Sequence, residues 1–265
     1  MSESRRPLRL LHTSDVHLGG YDHGGDPRRR AHSEERFRRV IDVGRAERVD
    51  VFIIAGDFFD HARVSEDTLR FAAEQIARIE APTVIVPGNH DHVGQGSVYD
   101  RIDLTQLAQN LTIMRSVEGE TAAFDALDLE VWGRSHLEHD PVFSPFVGAP
   151  GRGDAGWHVA VGHGHYLHPR SGNHPSFHIR EEHLSRLDYD YIALGHWEQQ
   201  TRVAAGELVA AYSGAPDGLA SVMGESGRVL VVDFKRDGSV RLTSHALVEG
   251  RDTQSHEEIP FLQGC

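Results

Sequence analysis

Five short segments carry side chains that commonly bind metal ions. They are Asp15-Val16-His17, Gly56-Asp57-Phe58-Phe59-Asp60, Gly88-Asn89-His90-Asp91, Gly162-His163 and Gly195-His196-Trp197-Glu198. Each sits at the end of an expected strand. Carboxylates, an amide oxygen and imidazoles, without thiolates, suit Mn²⁺, Fe²⁺ or Zn²⁺. One carboxylate can bridge two ions about 3.5–4 Å apart. Such a pair polarises phosphoryl oxygens and lowers the pKa of a bound water, giving a hydroxide nucleophile near neutral pH. A nearby imidazole then stabilises developing charge or protonates the leaving oxygen. In this order, the five segments point to a two-metal site that breaks phosphate esters.

Strands must carry these residues to one place. Residues 8–14 form a short apolar run that reads as a buried strand. A Gly-rich loop follows at 19–25. Phe37, Val40, Ile41, Gly44 and Arg48, at helical spacing, predict a helix over about 33–48. Residues 51–55 are almost wholly apolar, as in parallel sheets covered on both faces. Ser65 reads as the N-cap of a helix running to about Ile79, with Leu69, Ala72, Ala73 and Ile76 inward. Residues 83–86 make a third strand, and this alternation argues for an α/β sheet. The C-terminal ends of its strands share one edge, where open α/β folds build their sites. If the chain stays extended past the first strand, Asp15 and His17 point the same way. The glycines before Asp57, His163 and His196 allow sharp turns that bring those side chains close to an ion.

The second half reads differently. Residues 122–125 and 129–133 look like a hairpin. Strands are expected at 158–162 and 191–194, the latter after a helix near 179–187. Further strands fall at 201–204, 208–212, 228–235 and 239–247, the last two flanking the turn Arg236-Asp237-Gly238. These strands suit a second sheet packed on the first. Residues 140–156, rich in Gly and Pro, read as an exposed loop. The expected organisation is a single domain over 1–250 and a polar tail over 251–265.

A chain of 265 residues, 39% of them hydrophobic, is enough for one large core. No apolar run is long enough to cross a bilayer, so no membrane partner is expected. Residues 1–7 are polar and basic, unlike a signal peptide. The single cysteine, Cys265, excludes an internal disulfide, and a reducing cytoplasm fits best. A net charge of -13 opposes non-specific binding to a polyanion. Arg28-Arg29-Arg30 with Arg36, Arg38 and Arg39 could touch a nucleic-acid backbone; a solvated helix face balanced by Glu34 and Glu35 is the plainer reading. With 19 histidines present, each candidate ligand needs its context. His12 reads as a packed interior residue, and His61, His92, His168, His174 and His178 as loop residues. Trp197 and Tyr166 could stack on a base, with core or rim packing the plainer role. Asp60 either orients a ligand or caps the following turn.

Together these motifs resemble the calcineurin-like metallophosphoesterase superfamily over about residues 8–212. Its pattern is Asp-x-His, Gly-Asp-x-x-Asp, Gly-Asn-His-Asp or Gly-Asn-His-Glu, Gly-His, then Gly-His-x-His. The resemblance implies a four-layer α-β-β-α sandwich, two mixed sheets flanked by helices. It implies that Asp15 and His17 bind a first metal, that Asp57 bridges, and that Asn89, His163 and His196 bind a second. His90 would be the general acid or phosphate-stabilising residue, with Asp91 orienting it. Within the superfamily the chain is most similar to the SbcD-like subunits of DNA repair exonucleases. That likeness rests on His17-Leu18-Gly19, Glu34-Glu35-Arg36-Phe37 and the strand 49–55 leading into Gly56-Asp57-Phe58-Phe59-Asp60. Residues 190–196 and Tyr212-Ser213-Gly214-Ala215-Pro216 add to it. It implies phosphodiester hydrolysis in DNA by two divalent ions, with Mn²⁺ the first choice. The implied partner is an ATPase of the structural-maintenance type.

The last motif departs from the family, because Glu198 stands where a histidine is usual. Glu198 as an oxygen ligand would favour a harder ion such as Mn²⁺. Alternatively His165 supplies the missing nitrogen, or the first metal binds weakly. Little sequence follows residue 247, so the DNA-capping domain usual in SbcD-like subunits is not expected. That shortness and the acidic balance favour short nucleic acids or another phosphodiester. Two rivals stay open: a cyclic-nucleotide or small-molecule phosphodiesterase or phosphatase, and a non-catalytic scaffold.

Overall fold

The computed structural model describes residues 5–22, 26–167, 177–203, 208–217 and 227–262. Its strands are β1 (Leu8–Thr13), β2 (Val51–Ala55), β3 (Thr83–Val86), β4 (Leu111–Ile113), β5 (Glu120–Phe124), β6 (Leu129–Gly133) and β7 (Trp157–His163). Then follow β8 (His165–Leu167), β9 (His178–Arg180), β10 (Tyr191–Gly195), β11 (Thr201–Val203), β12 (Val209–Tyr212), β13 (Arg228–Phe234) and β14 (Val240–Ala246). The helices are α1 (Pro27–Ala46), α2 (Glu66–Ile79) and two single turns, α3 (Leu104–Leu107) and α4 (Glu181–Leu184).

Two six-stranded mixed sheets face each other. The first runs β14-β13-β1-β2-β3-β4 and the second β11-β12-β10-β7-β6-β5. Side-chain alternation divides the core. On the first sheet, Leu10, Val51, Ile53, Val84 and Val86 point inward, onto Val131, Val159, Val161 and Tyr191 of the second. Leu11, Phe52, Ile54 and Ile85 point outward, under Phe37, Ile41, Leu69 and Ile76 of α1 and α2. The outer face of the second sheet, with Ala160, Ile192 and Leu194, is covered by Phe146, Tyr166 and Ile179. The expected sandwich is therefore present, with a sparse fourth layer. In the expected helix near 179–187, residues 178–180 are β9, paired in parallel with β8, and only α4 is helical.

Helix α2 has its expected N-cap, the Ser65 hydroxyl accepting from Thr68 N–H. Helix α1 begins earlier than periodicity alone predicts. Asp26 caps it by accepting from Arg28 N–H, and Pro27 opens the first turn. Arg30 and Arg38 pair with Glu34, and Arg39 pairs with Glu35, so the basic stretch is a charge-balanced helix face.

One further expectation is corrected. The β13–β14 hairpin joins the first sheet, with Leu8 of β1 opposite Phe234. Val229 and Val231 pack on the helix side, while Leu230, Val232 and Phe234 face the other sheet. β13 thereby covers what would be an open edge of β1. The described residues after 249 dock on the rest of the fold. Gln254 and Ser244 exchange backbone hydrogen bonds, Leu262 N–H donates to the Arg202 carbonyl, and Ile259 is buried. Within the loop 140–156, Phe146 is also buried, against Trp132.

Candidate metal centre

The five motifs converge at the C-terminal edges of β1, β2, β3, β7 and β10. The first three belong to one sheet and the last two to the other. The loop after β1 runs alongside the loop after β2, with Asp15 N–H donating to the Gly56 carbonyl and His17 N–H to that of Asp57. Asp15 and His17 are not extended, as anticipated, but left-handed, with φ of 53° and 49°. Asp57 (51°) and His196 (96°) share that sparsely populated region. Gly56 is left-handed as well, with φ of 81°, and is required for a further reason. A Cβ there would lie 2.2 Å from the His163 ring.

Asp57 is the hub. Its Oδ2 lies 3.1 Å from His163 Nε2 and 4.0 Å from His17 Nε2. Its Oδ1 accepts from His90 N–H. Ligand atoms of Asp15, His17 and Asp57 lie within 4.8 Å of one another, and so do those of Asp57, His163 and His196. Asn89 joins the second group through Oδ1, 3.1 Å from His163 Nε2. His163 Nδ1–H donates to the Ala55 carbonyl, which leaves Nε2 for an ion. Two ligand groups sharing one carboxylate, made of oxygen and imidazole donors, fit a pair of divalent cations.

Electrostatics without the ions reflects the same closeness. Burial opposes charge on His163, yet Asp57 overcomes it and lifts the imidazole to about 9. His17 is likewise lifted to about 9, by Asp60, Asp57 and Asp15 against burial. His196 goes the other way, to about 3, through burial and the neighbouring His163. Burial pushes Asp15 up, partly countered by His163. Both Asp15 oxygens accept from His196 N–H, tying the first and last motifs together.

His90 lies beside the pair, half exposed, with its Nδ1–H donating to the Asp60 carbonyl. The Asp60 carboxylate lies 3.1 Å from His17 Nδ1. Asp60 thus orients both histidines. The expected role of Asp91 is corrected. Its buried carboxylate accepts from Gly88, Asp57, Phe58 and Phe59 N–H groups and from the Tyr99 hydroxyl. It clamps the two loops that carry Asp57 and Asn89, and its hydrogen bonds do not include His90.

Glu198 lines a cleft of about 410 Å³ with Asp15, His17, Tyr21, Asp60, His90 and Asp217. Its carboxyl is pushed up by burial and by Asp15. It does not belong to the tight ligand groups. His165 also lies outside them, its ring 6.3 Å from that of His196 and 5.6 Å from Trp197. His12 is the interior residue expected, bonded to the Tyr191 hydroxyl. Tyr166 is buried and Trp197 is partly exposed. His61 and His92 accept locally from Arg63 and Gly94 N–H groups, and His178 is in β9. His168 and His174 lie outside the described residues. The sequence reading missed His136 and His139. His136 Nε2–H donates to the His163 carbonyl, and His139 Nδ1 lies 3.4 Å from Asn89 Nδ2. Both sit in the loop after β6, and the repeated histidines at 136 and 139 were the available signal.

No helix among the described residues is long and apolar enough to cross a membrane. The chain is 27% identical over 252 residues to a DNA double-strand break repair protein Mre11 from Methanopyrus kandleri, covering 88% of this chain and 55% of that one. It is 26% identical over 220 residues to the uncharacterized metallophosphoesterase YhaO of Bacillus subtilis, covering 78% and 52%. A 121-residue stretch is 27% identical to a subunit of the nuclease SbcCD from Staphylococcus saprophyticus, covering 40% and 31%. The chain thus spans at most about half the length of these relatives. In fold it resembles TT1561 of Thermus thermophilus, with a TM-score of 0.59 at 12% identity, covering 92% of this chain and 100% of that one. Purple acid phosphatase PPD1 of yellow lupin gives 0.55 at 12% identity, covering 95% and 54%. The shared Asp57 hub, the sandwich and a family match running over residues 8–199 agree, and the chain belongs to the calcineurin-like phosphoesterase family.

Proposed function

We propose that the chain is a dinuclear-metal-dependent phosphodiesterase of nuclease type, acting on DNA. The observation that carries this is the Asp57 carboxylate shared by the two ligand groups. Asp15 and His17 would hold a first ion, with Glu198 in reach of the same cleft. Asn89, His163 and His196 would hold a second. Mn²⁺ suits the oxygen-rich first group, with Fe²⁺ or Zn²⁺ as alternatives. Such cations, when bound, supply Lewis acidity toward phosphoryl oxygens and a source of nucleophilic water near neutral pH. His90 has its Nδ1 committed to Asp60, so Nε2 serves the substrate. From there it stabilises the phosphoryl group or protonates the leaving oxygen. DNA as substrate is supported by the Mre11 and SbcCD relatives. The SbcCD relative is by name one subunit of a nuclease, which supports a partner for this chain as well, expected to be an ATPase of the structural-maintenance type.

A second reading, a small phosphodiester, is favoured by the cleft itself. Glu198 and Asp217 add negative charge there, and its described lining includes no Lys or Arg. Flanking phosphates of a long polyanion would meet that charge unfavourably. The test is metal analysis and hydrolysis of bis-p-nitrophenyl phosphate with Mn²⁺, then single-stranded DNA, cyclic AMP and p-nitrophenyl phosphate compared directly. His90→Ala should cost about 10²–10⁴-fold in kcat. No bound metal and no turnover with any divalent ion would overturn the proposal. Full activity in His90→Ala would favour a different acid.

A further inference from the structure

We propose that His139 is a positioning residue that fixes the Asn89 amide with its oxygen toward the second ion. The proposal rests on the dinuclear reading above and adds a residue from outside the five motifs. An asparagine amide has an accepting end and a donating end of nearly equal size, so only its neighbours decide which faces a cation. Asn89 is buried. Its Oδ1 lies 3.1 Å from His163 Nε2, where an ion would be held, and its Nδ2 lies 3.4 Å from His139 Nδ1. His139 therefore accepts through Nδ1 and carries its proton on Nε2. A flipped amide would aim its donors at the ion's place and set its oxygen against the His139 lone pair.

His139 is held in turn by packing. Its ring meets Phe177 edge-on at 5.0 Å. Phe177, itself buried, also meets His136 at 4.7 Å and His196 at 5.5 Å. His136 donates to the His163 carbonyl. The loop after β6 and Phe177 thus support Asn89, His163 and His196 together, the residues assigned to the second ion. Groups that orient ligands in this way contribute about 10–100-fold to metal affinity.

The test is calorimetric titration of chelator-treated protein with Mn²⁺, for wild type, His139→Ala and His139→Gln. The binding step lost in His163→Ala identifies the second ion. His139→Ala should weaken that step by about 10–100-fold and leave the first step unchanged. His139→Gln, whose side-chain oxygen can accept from Asn89, should recover most of the loss. Because His139 is exposed, both variants should keep the wild-type Tm without metal. Unchanged second-ion affinity in His139→Ala would overturn the proposal. So would equal weakening of both ions, or a glutamine variant as weak as alanine. Wild-type protein that binds fewer than two ions would defeat the dinuclear reading instead, a separate result.

Discussion

Four of the residues assigned to the ions, Asp15, His17, Asp57 and His196, hold left-handed backbone that side-chain-bearing residues seldom adopt. Strain of this kind persists only where surrounding bonds enforce it. Asp91 supplies part of that enforcement. Replacing it by alanine leaves buried N–H groups around Asp57 unpaired, so Asp91→Ala should lose about 3 kcal/mol or more of stability. Chemical denaturation would measure this, and a stable but slow Asp91→Ala enzyme would argue for a purely catalytic role. Glu198 is the residue whose type departs from the family. Glu198→Ala should lower occupancy of the first ion and Glu198→His should keep or raise it, as read by elemental analysis. Unchanged metal content in the alanine variant would remove Glu198 from the ligand set. The ligand candidates were legible because each motif is a local string. Their supports were not. Asp60 reaches His17 from 43 positions away in sequence, and three of the donors to Asp91, the N–H groups of Asp57, Phe58 and Phe59, come from another loop.

The strands that deliver the motifs were also legible, since β2 is apolar throughout, β3 is apolar after Thr83 and α2 opens at a recognisable cap. Pairing was harder to read. β13 has the alternation of a sheet strand, but nothing local says that its partner is β1 rather than a neighbour in the second sheet. The start of the helix expected near 179–187 is taken by β9 and its pairing with β8, which leaves only single-turn α4 helical. Two strand ends meet tightly at Gly195, where a Cβ would lie 1.8 Å from the Ala55 carbonyl oxygen. Both sides of that contact are backbone at a strand end, so neither can yield easily. Gly195→Ala should therefore destabilise the protein by about 3 kcal/mol or more. A thermal melt indistinguishable from wild type would contradict this packing.

At the scale of the whole molecule, the net charge of -13 concentrates partly where the motifs meet. Asp15, Asp57, Asp60 and Glu198 crowd one edge, and His17 and His163 answer them with raised proton affinity. Cations would relieve that crowding. At about 1,000-fold excess over Kd, a bound ligand adds about 4 kcal/mol of stability. For a chain of this length that is roughly a 10 °C rise in Tm. Scanning calorimetry with Mn²⁺ and with chelator would read it, and coincident melts would contradict it. Asp57 and Asn89 hang from one slab of the sandwich, His163 and His196 from the other. Any ion they share is a rivet between the slabs, so shearing one against the other unfastens the reactive centre while every strand stays intact. Loss of turnover under mild denaturant should then precede loss of circular dichroism.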